Sequence, residues 1–210
     1  MSLYFDPRDR ELNSKMQALQ PTPGYCIVVD IVGSTAVKDS SVQDWAVFIH
    51  NAFQYTLSFL SSSFVPLKSI GDCLMFFISQ DRMLANHETA LHFFSGLCRV
   101  AAAEDPLFSD VKISAVFCQH AYEITFIPGT EDVYGKDIDL TMRLLAKAGS
   151  REILMNEGFV QQVRGDYAVA ANPDQYREVQ RIVGPWPEAM KGFVDPVLIY
   201  KLPRLLPGTG

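Results

Sequence analysis

Long hydrophobic runs are missing from this 210-residue sequence, and their absence argues against a membrane-spanning protein. No apolar stretch approaches the roughly 20 residues that a helix needs to cross a bilayer. The segment Met1 to Met16 carries charges throughout and lacks the apolar centre of a secretory signal peptide. We therefore expect a soluble protein of the cytoplasm, with no membrane partner.

Positive charge is also in short supply. Eighteen Lys and Arg residues stand against twenty-four Asp and Glu residues, which gives a formal net charge of −6. A protein that coats nucleic acid neutralises phosphates with an excess of basic residues, so this balance argues against nucleic acid as a partner. A polyanionic substrate would have to be met by a local cluster of cations.

Cysteine is scarce, and its four residues are widely separated, with no CxxC pair. Because most of them lie inside apolar segments, they predict buried, reduced thiols and not a disulfide framework or a zinc site. The four histidines are equally scattered and offer no ligand spacing on one helix face. The cysteines are Cys26, Cys73, Cys98 and Cys118.

The sequence does have 48 % hydrophobic residues, which is enough for one well-buried core in a chain of 210 residues. No stretch rich in Pro, Gly or Ser divides the chain. We therefore predict one domain over residues 21–203, with an N-terminal tail at 1–20 and a C-terminal tail at 204–210.

Hydrophobic periodicity predicts alternating strands and helices. An apolar period close to 3.6 over Ser41–Leu60 predicts an amphipathic helix, and Gly71–Asp72 has the turn chemistry of a tight hairpin. The split β-α-β order predicts an α/β (α+β) domain, a ferredoxin-like sheet covered by helices on one face. The predicted strands are Tyr25–Val29, Phe64–Ile70, Cys73–Ile78, Val111–Phe126 (ended by Pro128–Gly129), Glu152–Met155 and Pro196–Leu202, and the other helices are Asn86–Ala103 and Gly135–Ala148, the latter capped by Gly149.

Two aspartates mark the candidate site. Asp30 stands where an apolar strand meets a Gly-containing loop, and Asp72 stands in the hairpin turn of the neighbouring strands. Adjacent strand ends would bring the two carboxylates together, and such a pair can bind two divalent cations for phosphoryl transfer. Residue spacing leaves a second interpretation open, in which Asp30 caps a helix and Asp72 only serves the turn.

Four segments, taken in order, carry a wider pattern. They are VVDIVGST (28–35), KSIGDCLMFF (68–77), DVYGKDIDLTMRL (132–144) and MKGFVDPVLIYKL (190–202). Together they resemble the catalytic domain of class III nucleotide cyclases, the adenylate and guanylate cyclase family, from about Gly24 to Leu202. The resemblance implies the fold of that family and a lyase that converts a nucleoside triphosphate to a 3′,5′-cyclic nucleotide and pyrophosphate.

The resemblance also implies a role for each matching residue. Asp30 and Asp72, with the backbone of Ile31, would bind two Mn²⁺ or Mg²⁺ ions per site. The family places these aspartates on one subunit and the remaining groups on its partner, which implies a head-to-tail homodimer with two shared sites. The remaining groups are Lys68 and Asp132 for the base, Asp139 for the ribose, Arg143 for the transition state and Lys191 for the terminal phosphates.

The chemistry of ring closure suits these residue types. The ribose 3′-hydroxyl must attack the α-phosphorus in line, so catalysis depends on positioning and charge neutralisation. The loop after Asp30 offers backbone N–H groups and the hydroxyls of Ser34 and Thr35 to phosphate oxygens. Arg143 supplies a planar fork to developing charge, a geometry that lysine could not reproduce.

Asp139 departs from the family pattern, which has Asn at this position. An ionised carboxylate only accepts hydrogen bonds, whereas the Asn amide also donates to a ribose oxygen. The substitution therefore predicts altered substrate positioning, or a nucleotide-binding protein without activity. Asp139, Arg143 and Lys147 also recur at four-residue spacing, so an exposed helix stripe with an Asp–Arg ion pair is a further interpretation.

The identity of the base is left open. Lys68 with Asp132 would ordinarily suggest ATP, but the same pair could satisfy cytosine or uracil, with Phe76 or Tyr134 setting the depth of the pocket. A cyclase domain standing alone, with IDLTMRL in place of the usual VN-x-AAR form, resembles the bacterial pyrimidine cyclases of antiphage defence. That resemblance favours UTP, then CTP, and implies cUMP or cCMP acting on an effector gated by cyclic nucleotide. ATP is the alternative substrate.

Two other protein classes share part of this pattern. A palm-type polymerase or a cyclic dinucleotide synthase also pairs carboxylates on a related sheet, but no GGDEF-like hairpin surrounds Gly71–Asp72. A ferredoxin-like RNA-binding module would need exposed aromatics within a basic face, and the acidic charge argues against it.

Overall fold

The computed structural model describes residues 3–4, 8, 10–103, 110–127 and 130–204. A seven-stranded sheet forms its centre. The strands of this sheet are β2 (Gly24–Ile31), β3 (Lys68–Ile70), β4 (Cys73–Ser79), β5 (Val111–Cys118), β8 (Ile153–Asn156), β9 (Val183–Glu188) and β10 (Val197–Leu202). A smaller sheet joins β1 (Leu3–Tyr4), β6 (Tyr122–Thr125) and β7 (Val133–Tyr134).

The large sheet is mostly antiparallel. Its strand order is β3-β4-β2-β5-β8-β10-β9, and β5 with β8 is the parallel pair. In the register of the central strands, Asp30 at the end of β2 lies opposite Cys73 of β4 on one side and Lys112 of β5 on the other. This register places the end of β2 at the centre of the candidate site.

Seven α-helices and one 3₁₀ helix occur within the described residues, and side-chain caps begin several of them. The hydroxyls of Ser41 and Thr89 and the amide oxygen of Asn156 each accept a backbone N–H of the first turn, the usual chemistry of an N-cap. The helices are α1 (Leu12–Gln17), α2 (Ser34–Ser40), α3 (Val42–Ser58), α4 (Gln80–Ala85), α5 (Ala90–Ala102), α6 (Lys136–Leu145) and α7 (Glu157–Ala168), with the 3₁₀ helix at Pro173–Arg181.

Two hydrophobic cores lie on the two faces of the sheet, because the side chains of a strand alternate between its faces. Odd-numbered residues of β2, such as Ile27 and Val29, join the core under α3, α5 and α7. Even-numbered residues, such as Cys26 and Val28, join the core under α6. The prediction of helices on one face is therefore wrong, since α6 covers the second face. By the same alternation Asp30 lies on the α6 face of the sheet.

The predicted strand Val111–Phe126 is wrong as a single element. It divides into β5 and β6, which belong to different sheets. The carboxylate of Asp137 accepts the backbone N–H groups of Gln119 and His120 at 2.9 and 3.2 Å, which fixes the turn between the two strands. The predicted break at Pro128–Gly129 lies outside the described residues.

The helix predicted over Gly135–Ala148 is also shorter than expected. It ends at Leu145, and the N–H of Gly149 donates to the Glu152 carboxylate at 2.9 Å, so this glycine belongs to the following turn and not to the helix cap. The segment predicted as an N-terminal tail contains β1 and α1. The remaining predicted strands and helices are present, with ends shifted by a few residues at most positions.

The four cysteines are buried and free, as the sequence predicts. Among the described residues, no helix combines the length and apolar character required to cross a membrane.

Candidate functional site

Two carboxylates meet at one end of the central sheet. Asp30 is the penultimate residue of β2, and Asp72 lies in the β3–β4 turn, where Gly71 adopts a φ of +63° that suits a tight turn. The Ser34 hydroxyl donates a hydrogen bond to Oδ2 of Asp72, and the Ile31 N–H donates to the Asp72 carbonyl at 3.3 Å. The structure thus brings together the three residues predicted to bind metal.

The ligand atoms around these carboxylates fit a divalent cation. One carboxylate oxygen each from Asp30 and Asp72 and the Sγ of Cys73 lie within 4.8 Å of one another. Carboxylate oxygens are ligands that Mg²⁺ and Mn²⁺ prefer. Burial, followed by the hydrogen bond to Asp30, raises the pKa of Cys73 to about 12, so the thiol stays protonated and donates to Oδ1 of Asp30 at 3.2 Å.

Lys112 belongs to this cluster, and the sequence interpretation missed it. Its Cα is paired with that of Asp30 across β2 and β5, and its Nζ lies 2.8 Å from Oδ2 of Asp30. A cation here can neutralise phosphate oxygens that approach the carboxylates. Alternation in β5 indicates the face on which Lys112 lies, but only the register shows which residue of β2 it opposes.

The loop after Asp30 leads directly into α2. Gly33 adopts a φ of +83° just before the helix, a conformation that favours glycine. Ser34 is buried and its hydroxyl is engaged with Asp72, whereas Thr35 is exposed in the first turn of α2. Of the two residues predicted to contact phosphate, Thr35 is the one open to solvent.

The residues predicted to read the base form a second cluster. The Nζ of Lys68 contacts both carboxylate oxygens of Asp132, at 2.6 and 2.7 Å. The Val133 N–H donates to the same carboxylate at 2.8 Å and the Tyr134 phenol at 3.2 Å. Desolvation and then the charge of Asp132 raise the pKa of Tyr134, so the phenol remains a donor.

A cleft of about 700 Å³ opens beside the Lys68–Asp132 pair. Its walls include the apolar residues Leu67, Phe77 and Ile127, and charged residues such as Arg82 and Glu131 also line it, so the cleft combines apolar surface with polar groups. A heterocyclic base needs such a surface, because its faces are apolar and its edge is polar. Phe126 packs edge-on against Tyr134 beside this cluster, with ring centroids 4.8 Å apart.

The helix α6 carries the residues predicted to contact ribose and transition state. Asp139 is exposed and Arg143 is half-buried. The expected i,i+4 ion pair between them is absent from the described residues, and Lys147 pairs with Glu188 at 2.5 Å instead. The Nε of Arg143 is buried and has no hydrogen-bond partner among the described residues.

Lys191 lies in the turn between β9 and β10, exposed to solvent. Its neighbour Gly192 approaches the Arg143 guanidinium, since a Cβ added to this glycine would lie 3.8 Å from an Arg143 Nη. Within the part of the chain that the structure describes, no hydrogen bond or ion pair joins Arg143 or Lys191 to Asp30 or Asp72. The predicted residues thus fall into a carboxylate cluster, a base cluster and a separate cationic group.

Comparison with known proteins identifies the fold. No protein-family model matches the chain, and no curated protein matches its sequence. Solved structures do match: the adenylyl cyclase CyaB from P. aeruginosa has a TM-score of 0.68 at 16 % identity, covering 87 % of this chain and 94 % of that chain. The guanylyl cyclase Cya2 has a TM-score of 0.67 at 13 % identity, covering 87 % and 92 %.

A third similar structure is the catalytic core of a rhodopsin-guanylyl cyclase with converted specificity, in complex with ATPαS. Its TM-score is 0.63 at 11 % identity, and the match covers 86 % of this chain and 95 % of that chain. The mixed α+β architecture, with its mostly antiparallel sheet, is therefore the fold of class III cyclase catalytic domains. The predicted fold class is confirmed.

Proposed function

We propose that this protein is a nucleotide cyclase, which converts a nucleoside triphosphate to a 3′,5′-cyclic nucleotide and pyrophosphate. The observation that carries the proposal is the convergence of Asp30 and Asp72, within 4.8 Å, at the end of the central strand of a cyclase fold. The same fold carries Lys68 and Asp132, the pair that would read the base, beside a cleft of about 700 Å³. Carboxylates, cations and a cleft are the groups that ring closure of a triphosphate requires.

The carboxylate cluster would bind two Mg²⁺ or Mn²⁺ ions, through Asp30, Asp72 and the backbone of Ile31. When bound, these ions would activate the 3′-hydroxyl and neutralise the triphosphate. The protein supplies the rest of the positioning. Ser34 fixes the Asp72 carboxylate by a hydrogen bond, and Lys112 presents a positive charge 2.8 Å from Asp30.

Charge neutralisation at the leaving group falls to residues outside this cluster. The planar guanidinium of Arg143 suits the developing charge on equatorial phosphoryl oxygens, and Lys191 suits the terminal phosphates. Thr35, exposed at the start of α2, would donate its hydroxyl to the same phosphates. Asp139 would face the ribose as an acceptor only, so the ribose hydroxyl must be the donor in that contact.

Two copies of the chain would complete each site. Asp30 and Asp72 belong to one cluster, and no hydrogen bond or ion pair within the described residues links them to Arg143. The Nε of Arg143 is buried without a hydrogen-bond partner among the same residues. A head-to-tail homodimer would bring the Arg143 and Lys191 of one subunit to the carboxylates of the other. One structural neighbour of this chain is described as a non-canonical dimeric guanylyl cyclase domain, which supports the association of two chains but not the head-to-tail geometry.

UTP is the favoured substrate, followed by CTP. Uracil presents O4 beside N3–H, which complement the ammonium of Lys68 and the carboxylate of Asp132. Tyr134 donates to the same carboxylate, and the resemblance of the α6 sequence to pyrimidine cyclases supports the choice of a pyrimidine. ATP is the alternative, and the adenylyl and guanylyl cyclases among the structural neighbours favour a purine.

The product would act as a second messenger. On the resemblance of the α6 sequence to pyrimidine cyclases, we place cUMP or cCMP in antiphage defence, in the cytoplasm, where an effector gated by cyclic nucleotide would respond to it. Infection of cells that carry the chain or its Asp72→Asn variant tests this role. Protection from phage by both versions, or by neither, would contradict it.

The direct test is an incubation of the purified protein with Mn²⁺ or Mg²⁺ and each of ATP, GTP, CTP and UTP, followed by identification of the products. We expect cUMP and pyrophosphate, their loss in Asp30→Asn and Asp72→Asn, and wild-type rates in Asp174→Asn, a control that removes a carboxylate from the exposed surface of the 3₁₀ helix. Metal-dependent binding of triphosphates without any cyclic product would instead show a nucleotide-binding protein. The exposed Asp139, at the ribose position, is the observation that favours this second function.

A further inference from the structure

Next to the carboxylate cluster lies a network of side chains that the proposed mechanism does not use. Arg151 adopts a φ of +61°, a left-handed conformation that is uncommon for a residue with a side chain. Its Nε contacts Oδ1 of Asp110 at 2.5 Å, and the Ser150 hydroxyl donates to the other carboxylate oxygen. Both oxygens of Asp110 are thus engaged by two consecutive residues in the turn before β8.

This network is only partly exposed. The side chain of Arg151 is 14 % exposed and that of Asp110 is 30 % exposed, and the Nη1 of Arg151 is buried without a hydrogen-bond partner among the described residues. Desolvation raises the pKa of Asp110, but the hydrogen bonds from Ser150 and Arg151 outweigh it and hold the pKa below its ordinary value. The carboxylate is therefore ionised at neutral pH, and the ion pair persists.

The backbone of the same residues reaches the candidate site. The Asp110 carbonyl accepts the N–H of Val32 at 2.8 Å, and Val32 lies in the loop between Ile31 and Gly33. The Val111 carbonyl accepts the Arg151 N–H at 2.7 Å. The next residue, Lys112, carries the ammonium that contacts Asp30. One end of β5 thus supports the metal-binding loop through Asp110 and contacts the metal-binding carboxylate through Lys112.

We propose that Arg151 is a positioning residue of the carboxylate site: together with Ser150 it clamps Asp110, and the clamp fixes the start of β5 against the Ile31–Gly33 loop. The inference rests on the proposed function, because it assigns the clamp a role in cation binding at Asp30 and Asp72. The side chain compensates for the unfavourable φ through the contacts that it makes. Arg151 touches neither substrate nor metal and acts through Val32 and Lys112.

The test uses substitutions that separate the side chain from the backbone. Arg151→Gly accepts the positive φ and removes the guanidinium, and Arg151→Lys retains the charge but not the fork. His87→Gly is the matched control, because His87 also has a positive φ, of +55°, but lies in the connection between α4 and α5. The readouts are amide hydrogen exchange at Val32 and Mn²⁺ affinity by electron paramagnetic resonance.

In Arg151→Gly we expect exchange at Val32 to accelerate at least about tenfold, because its hydrogen bond to Asp110 opens more often. We expect the Mn²⁺ dissociation constant to rise roughly tenfold, the lower end of the effect of removing a group bonded to a metal ligand, because Arg151 acts on the carboxylates only through Val32 and Lys112. Arg151→Lys should fall between this variant and wild type, and His87→Gly should match wild type in both readouts.

Wild-type exchange at Val32 and wild-type Mn²⁺ affinity in Arg151→Gly would overturn the proposal. It would also be overturned if His87→Gly increased the exchange and weakened Mn²⁺ binding as much as Arg151→Gly does. If Arg151→Gly does not fold, Ser150→Ala replaces it and should change both readouts in the same direction. Unchanged readouts there also overturn the clamp. If the wild-type protein binds Mn²⁺ but makes no cyclic nucleotide, the proposed function is wrong and the proposal for Arg151 still stands or falls by its own readouts. Hydrogen exchange and Mn²⁺ affinity can be measured without turnover.

Discussion

A heterodimer with two different inactivating substitutions tests whether each site is shared between subunits. In the proposed arrangement, Asp30 and Asp72 of one subunit act with Arg143 of the other. Asp30→Asn and Arg143→Ala homodimers each lose both sites, and the loss of the arginine alone should cost roughly 10³-fold in kcat. When the two variants form a heterodimer, one site contains both substitutions and the second contains neither.

The magnitude follows from this geometry. A two-fold symmetric dimer has two equivalent sites, so the heterodimer should recover about half of the wild-type activity. The assay co-expresses the two variants with different tags, purifies the heterodimer through both tags, and measures pyrophosphate release. A heterodimer of Asp30→Asn with Asp72→Asn is the matched control, and it should stay inactive because each of its sites lacks one carboxylate.

Two results would refute the arrangement. A doubly tagged Asp30→Asn/Arg143→Ala heterodimer without activity would show that the carboxylates and Arg143 act within one chain. Recovery in the Asp30→Asn/Asp72→Asn control would show that the two carboxylates belong to different sites. Circular dichroism and thermal melting of each variant establish that the half-buried Arg143 can be truncated without unfolding the chain.

Three further perturbations address the base, the ribose and the core. Asp132→Asn removes the charge that Lys68 contacts, so the KM of the preferred triphosphate should rise roughly tenfold to a hundredfold, with a smaller change in kcat. An unchanged KM for UTP, CTP and ATP would contradict a base contact. Asp139→Asn adds a hydrogen-bond donor toward the ribose, and kcat/KM should rise by roughly threefold to tenfold, which corresponds to the free energy of one hydrogen bond. Steady-state rates identical to wild type would exclude that contact. Burial and, second, the charge of Asp166 raise the pKa of Tyr25 from 10.0 to about 12. As the pH rises, the unfolded chain therefore loses the Tyr25 proton at a lower pH than the folded chain does, and the free energy of unfolding falls between pH 10 and 12. Relative to Tyr25→Phe, wild type should lose roughly 1 kcal/mol of unfolding free energy between pH 9 and 11 in urea titrations, and parallel losses in both proteins would disprove the assignment.

Much of the fold could be predicted because its elements have clear periods. The helix over Ser41–Leu60 repeats its apolar residues often enough to be identified as α3. The alternation of apolar residues over Val111–Phe126 predicted a single strand, because both β5 and β6 show this alternation. The turn between them depends on Asp137, which lies further along the chain. The strand β9 was not predicted, because Pro185 and Pro187 argue against a strand. The edge of a sheet, where β9 lies, tolerates proline.

The candidate site was predictable to a different extent. Asp30 and Asp72 follow from the rule that polar residues at strand ends meet, and Lys68 and Asp132 follow from the resemblance. Lys112 could not be found, since its place beside Asp30 depends on the register of β2 and β5. The ion pair expected between Asp139 and Arg143 is absent from the described residues, because four-residue spacing puts two side chains within reach without making them bond.

The alternation of β2 constrains how this strand can evolve, because its two faces contribute to two different cores. Odd-numbered residues such as Val29 contribute to the core under α3, α5 and α7, and changes there act on stability. Even-numbered residues such as Val28 contribute in the same way to the core under α6, and Asp30, near the end of the strand, is the one that carries the proposed chemistry. A lineage can therefore alter its substrate without changing β2, because Lys68 and Asp132, the pair proposed to read the base, lie in β3 and just before β7, whereas selection for folding acts on both sides of β2.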